Sequence, residues 1–120
     1  MLIFDDKELE IYEHTQPGYE RTMHFEGWRV AIANYMERFD PDRYDTIERH
    51  MLTDEVFVLL SGKAWLVIGK ELRKTQLEPG KLYNVKAGVW HNVLLEKDAK
   101  VLIVENHSTC AENSELYTIR

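Results

Sequence analysis

The sequence predicts an all-β fold, a sandwich or barrel of about eight strands built as one domain. From Trp28 onward the chain is a succession of short runs rich in β-branched and aromatic residues, each closed by Gly, Pro, Asp or Asn. No long helical period interrupts that pattern. The chain has 120 residues, 44% hydrophobic and 11% aromatic, enough for one core, and no stretch resembles a linker between two.

Residues 1–27 are the least regular. Leu9-Glu10-Ile11-Tyr12 fits a short strand and Gln16-Pro17-Gly18-Tyr19 a turn, so this segment is expected as a lead-in that packs over a barrel made of residues 28–120. The expected strands are Trp28 to Met36, Tyr44 to His50, Glu55 to Leu60, Ala64 to Ile68, Leu72 to Leu77, Lys81 to Val85, Trp90 to Leu95 and Val101 to Glu105. Phe39-Asp40-Pro41-Asp42, Gly69-Lys70-Glu71, Glu78-Pro79-Gly80 and Glu96-Lys97-Asp98 supply the turns. Three runs, Val56–Leu60, Trp65–Ile68 and Val101–Val104, are apolar on both faces, which is the pattern of strands covered on both sides. Cover for the outer face would come from the N-terminal segment or from a second copy, and a homodimer is the expectation.

Composition excludes several partners. A formal charge of -6 with no basic run argues against nucleic acid. The first residues, Met1-Leu2-Ile3-Phe4-Asp5-Asp6, lack the basic and apolar regions of an export signal, and no window approaches a membrane span. A soluble cytoplasmic protein is expected. Cys110 is the only cysteine, which excludes an internal disulfide and a cysteine-based zinc cluster.

The chemistry concentrates in Glu48-Arg49-His50-Met51-Leu52-Thr53-Asp54-Glu55 and in Gly88-Val89-Trp90-His91. Alternate residues of a strand share a face, so Glu48 and His50 point together while Arg49 points away. The Met51–Asp54 turn would return Glu55 on the neighbouring strand, with Phe57 and Leu59 below it, and His91 would arrive from a later strand. Two neutral imidazoles and a carboxylate suit a divalent transition metal with open coordination positions. The alternative is that His50, Glu55 and His91 are ordinary polar residues at strand ends. Glu48 reads either as a fourth ligand or catalytic base, or as a solvated strand residue.

These two segments resemble the paired motifs of the cupin superfamily. The first, G-x5-H-x-H-x(3,4)-E-x6-G, is matched by His50, Glu55 and Gly62; the second, G-x5-P-x-G-x2-H-x3-N, by Gly80, Gly88 and His91. Asp42, Glu48, Lys86 and Leu95 stand where the family has glycine, histidine, proline and asparagine. The resemblance implies a cupin-like jelly-roll β-barrel with a divalent metal (Fe, Mn, Ni or Zn) near its mouth, held by His50, Glu55, His91 and Glu48 over an apolar floor. Glu48 changes a neutral nitrogen ligand into an anionic oxygen ligand, which makes the ion a weaker Lewis acid.

The activity so implied is that of a metal-dependent isomerase, lyase or oxygenase acting on a small polar metabolite, a sugar derivative or oxo-acid, with Glu48 as proton acceptor where it does not ligate. A non-catalytic metabolite-binding or sensing module, and a metal-free acid–base sugar isomerase using His91 and Glu55, are the alternatives. Trp90, opposite His91 by alternation, reads as core or interface. Tyr35, Tyr44 and Tyr83 are either mouth hydroxyls or amphipathic packing at strand ends. His14, His24 and His107 lack partners at ligand spacing and are expected on the surface.

Overall fold

The computed structural model describes residues 1–120. The strands in chain order are β1 (Leu2–Asp5), β2 (Glu10–Tyr12), β3 (Gly18–Phe25), β4 (Trp28–Asn34), β5 (Thr46–His50), β6 (Glu55–Ser61), β7 (Ala64–Ile68), β8 (Arg73–Gln76), β9 (Tyr83–Val85), β10 (His91–Leu95), β11 (Lys100–Asn106) and β12 (Ser114–Thr118). Single 3-10 turns at Glu37–Phe39 and Ala111–Asn113 are the only helical pieces. No helix is long and apolar enough to cross a membrane.

Two five-stranded sheets face each other, β12-β5-β10-β7-β8 and β3-β4-β11-β6-β9, and β1 pairs with β2 as a separate hairpin. The architecture is that of a jelly roll, the all-β class expected. Every expected strand from Trp28 onward is present, and Ala64–Ile68 has the expected ends. Two further strands complete the sheets. β3 runs antiparallel to β4 along its whole length, with a register shift between Arg21 and Met23, and β12 pairs with β5 from Ser114↔His50 to Thr118↔Thr46. Both are edge strands with polar, weakly alternating sequences, as edges that avoid pairing with other chains tend to be.

Alternation sorts the core. Ala31 and Ala33 on β4, Phe57 and Leu59 on β6, and Val101 and Ile103 on β11 meet Ala64 and Leu66 on β7 and Val93 and Leu95 on β10 between the sheets. Leu95, at a position where the family motif has asparagine, is fully buried in this layer. A smaller cluster of Tyr44, Ile47, Val67 and Leu94 covers the outer face of the first sheet, with Trp65, Trp90 and Ile119 packed on it. Tyr44 is therefore packing rather than a mouth hydroxyl, while Tyr35 bonds Asp40 and Tyr83 accepts the Glu78 N–H.

The second sheet differs. Val30, Ile32, Val56, Val58, Leu102 and Val104 on its outer face are only partly buried, and Trp28 and Leu60 are 47% and 49% exposed. In the β1–β2 hairpin, Leu2, Ile3, Phe4, Leu9 and Ile11 are exposed as well.

The β6–β7 turn shows why the first motif ends in glycine. Gly62 has φ +74, and a Cβ there would lie 2.6 Å from the Ala99 Cα, against backbone that cannot yield. Gly62→Ala should therefore lower stability by more than about 1 kcal/mol, read as a lower urea midpoint with an unchanged m value.

Candidate metal centre

One end of the space between the sheets is polar, and its residues come in cross-strand rows. On the first sheet Glu48 of β5 lies opposite His91 of β10, with His50 two residues further along β5. On the second, Glu55 of β6 lies opposite Glu105 of β11, and Glu105 lies opposite Arg29 of β4. The turn after His50 thus crosses between sheets, so Glu55 faces His50 rather than neighbouring it within one sheet as expected. Below Glu55 on the same face are Phe57 and Leu59, the apolar floor.

All four expected site residues line a single cavity of about 480 Å³. His91 Nε2 is 2.9 Å from Glu55 Oε1, His50 Nε2 is 3.4 Å from the same oxygen, and His50 Nε2 is 3.7 Å from Glu48 Oε1. His50, Glu55 and His91 are buried, whereas the Glu48 side chain is 30% exposed. The far nitrogens are anchored: His91 Nδ1 donates to the Val89 carbonyl at 2.9 Å, and His50 Nδ1 meets Ser114 Oγ of β12 at 2.8 Å. Such outer contacts fix the orientation of an imidazole and aim its other nitrogen.

That geometry fits a bound cation. With Nδ1 of His91 donating, its Nε2 presents a lone pair to a carboxylate oxygen at hydrogen-bond distance, so the contact calls for a proton on that nitrogen or a cation that both side chains would hold. His50 Nε2 is buried without a hydrogen-bond partner, a state that leaves a polar atom about 1–3 kcal/mol short unless something binds it. Glu48, His50 and His91 each offer a donor atom within 4.8 Å of the others, as do His50, Glu55 and Glu105.

The electrostatics follow from burial opposed by neighbours. Burial works against ionisation of Glu55, but the two imidazoles facing it, His50 and His91, outweigh it, and the carboxyl is lowered from 4.5 to about 2. Burial disfavours the His50 cation too, yet the facing carboxylate of Glu55 and the charges of Glu48 and Glu105 raise it above 6.5.

Four residues at this centre escaped the sequence reading: Ser114, Glu105, Arg29 and Tyr19. Glu105 is 5% exposed, bonded by the Tyr19 hydroxyl and paired with Arg29 at 3.3 Å. Burial raises the Glu105 carboxyl, with the Glu55 charge adding to it against the Tyr19 and Arg29 hydrogen bonds. Tyr19 is raised by burial first and the Glu105 charge second. The signal for Glu105 was parity, since it continues the inward series Val101, Ile103, Glu105.

Other expectations sort plainly. Trp90 points away from His91, under the Arg49 guanidinium at 4.5 Å from the ring centroid. His24 and His107 are exposed and stack on each other, with centroids 3.9 Å apart. His14, expected on the surface, is 7% exposed, because its Nε2 hydrogen-bonds the Gly18 carbonyl at 2.7 Å at the start of β3.

The fold is a jelly roll whose polar end gathers histidines and carboxylates around a cavity. The chain belongs to the cupin family, whose domain model (Cupin_2, "Cupin domain") matches residues 35–105. No curated protein matches its sequence. Among solved structures it is similar to a cupin-2 domain-containing protein of Shewanella frigidimarina, at 18% identity over 78% of this chain and 85% of that one, with a TM-score of 0.60. It is also similar to the nucleoside dehydratase Pac13, at 9% identity over 90% and 86% and a TM-score of 0.66. The iron(II) form of HppE matches at 21% identity over 66% of this chain and 41% of that one, with a TM-score of 0.51. At these identities the likeness is one of fold.

The pKa shifts set a pH profile for the metal-free protein. Glu55 is lowered by folding, so its stabilisation is present above 4.5 and is lost as pH falls toward about 2. His50 is raised by folding, so its share is full below 6.5 and fades as pH rises through its folded value. Unfolding free energy measured against pH should decline on both flanks, and Glu55→Gln should flatten the acid flank; an unchanged acid flank would refute the assignment.

Proposed function

We propose that the protein binds one divalent transition metal ion, iron, manganese, nickel or zinc, through His50, Glu55 and His91, with Glu48 as fourth ligand or proton acceptor. It acts on a small polar metabolite, a sugar derivative or oxo-acid, as an isomerase, lyase or oxygenase. The observation that carries this reading is the orphaned His50 Nε2, buried and aimed by Ser114 toward the carboxylate that His91 also faces. When bound, the ion would act as a Lewis acid on a carbonyl or hydroxyl oxygen of the ligand.

The chain's own residues supply the rest. Phe57 packs edge-on against His91, with ring centroids 5.8 Å apart, and closes the apolar side of the centre to water. Glu48 is the most exposed carboxylate of the set and is placed to take a proton from a ligand in the cavity. Arg29 and Tyr19 hold Glu105 in place beside Glu55.

Elemental analysis of protein purified without chelators or a metal-affinity tag should find about one metal per chain, lost in His50→Ala and His91→Ala, which should stay folded on the apolar floor but at lower stability, since Glu55 then keeps only one of its two imidazoles. Ser114→Ala should keep the stoichiometry and weaken affinity by about 10- to 100-fold. The 2.9 Å His91–Glu55 contact also favours a second reading, metal-free acid–base chemistry. Activity that survives chelation with no metal bound would select it.

We further propose that the protein is a homodimer. A two-stranded hairpin is marginal alone, and β1–β2 leaves five large apolar side chains exposed beside a second sheet whose outer face is apolar. A second copy would bury both. Light scattering should give the dimer mass, and Leu102→Glu should shift it to monomer; a wild-type monomer would refute the dimer.

A further inference from the structure

The cavity extends well beyond the candidate metal centre. Its 480 Å³ is roughly sixteen times the share of liquid volume of one water, far more than an ion and its waters occupy. Its lining also includes Arg21 of β3, Arg38 of the first 3-10 turn, Thr109 and Cys110. Its lining differs in charge with burial: Glu55 and Glu105 are buried, and Arg21 and Arg38 are exposed.

Arg21 reaches the Tyr19 hydroxyl, but neither arginine is neutralised by a carboxylate. The arginine ion pairs of this protein are Arg29–Glu105 and Arg49–Glu115, and neither Arg21 nor Arg38 enters one. Arg38 is held with its guanidinium over the Phe39 ring, 4.8 Å from the centroid, and Phe39 is a buried wall of the cavity. Unpaired surface arginines are common by themselves. The independent observation is Thr109, which lines the same cavity, is 4% exposed and has an Oγ1 with no hydrogen-bond partner. Its carbonyl is taken by Arg29 at 3.1 Å, so the residue is fixed while its hydroxyl waits for a partner. A protein of net charge -6 repels anions at a distance, so an anionic ligand needs a local cationic contact of this kind.

We propose that Arg21, Arg38 and Thr109 form a subsite for the anionic tail of the ligand, so that the substrate class is a small organic acid. It carries a polar, oxygen-bearing head at the histidine end and a carboxylate or phosphate at the arginine end. The assignment of the head to the histidine end rests on the metal reading above; the tail subsite does not. Guanidinium recognition of carboxylate and phosphate is bidentate and strong, and it is shared by both groups, so the tail's identity is left to the choice of probe.

Three probes share a hydroxy-acid head and differ in the tail: glycerate, malate and 3-phosphoglycerate. Calorimetric titration, with metal-free protein and with protein equilibrated with Mn(II), should show malate or 3-phosphoglycerate binding at least about tenfold tighter than glycerate. The preference should fall with added salt. Arg21→Gln/Arg38→Gln should bring the ratio close to one while leaving glycerate binding as it was, and Thr109→Val should weaken the charged-tail probe by about 3- to 10-fold. The tighter of the two charged probes identifies the tail. A ratio near one in the wild type, a ratio retained in the double variant, or no binding of any probe in either form overturns the subsite. Metal uptake, read separately by elemental analysis, decides the metal reading, and its failure leaves the tail preference to be judged on the metal-free protein.

Discussion

A carboxylate buried to 5% exposure is the constraint on which this structure turns. Burying an ionised group without compensation is among the most unfavourable things a fold can do, and Glu55 is tolerable only because two imidazoles converge on it. Those imidazoles sit on the opposite sheet, so the two sheets must bring their polar residues to the same layer. Register enforces this. Glu55↔Glu105↔Arg29 on one sheet and Glu48↔His91 on the other are ladder pairs, and a one-residue slip would send the charges out and valines in. Selection for the site and selection for the fold therefore act on the same hydrogen bonds.

The rest of the core is shaped to serve that layer. Ala31, Ala33, Ala64 and Ala99, almost wholly inaccessible, let the sheets approach at the apolar end, where the Gly62 turn packs directly on the Ala99 backbone. At the polar end the cavity opens between the sheets, with Phe39 and Phe57 among its apolar walls.

How much of this could be read in the sequence depends on range. The strands from Trp28 to Glu105 were legible because period-two alternation and turn residues are local, and His50, Glu55 and His91 because motif spacing stands in for three-dimensional position. β3 and β12 were not, since edge strands owe their extended form to a partner far along the chain rather than to their own alternation. With them went Tyr19, which reaches Glu105 across 86 residues, and Ser114, which orients His50 across 64. Gly18-Tyr19 had the composition of a turn and became the start of β3. His14 had no partner at ligand spacing; its partner is a backbone carbonyl, and sequence spacing does not encode such contacts.

Glu48 in the place of a family histidine alters the electrostatics of the centre more than its shape. It occupies the inward position opposite His91 that the alternation of β5 assigns, so the site keeps its geometry and gains a negative charge. Glu105 adds little to that balance, because Arg29 and Tyr19 already hold it. In the proposed metal site two carboxylates would nearly cancel the charge of a divalent ion, leaving it a weak attractor of anions. Recognition of an acidic ligand then shifts from the ion to whatever positive charge remains in the cavity. Arg21 and Arg38, free of ion pairs and exposed, are the groups that can supply it. In the proposed site the substitution that would weaken the ion as a Lewis acid and the exposed arginines of the cavity lining would be two halves of one division of labour, with the head of the ligand oriented at the histidines and its charge read by guanidinium.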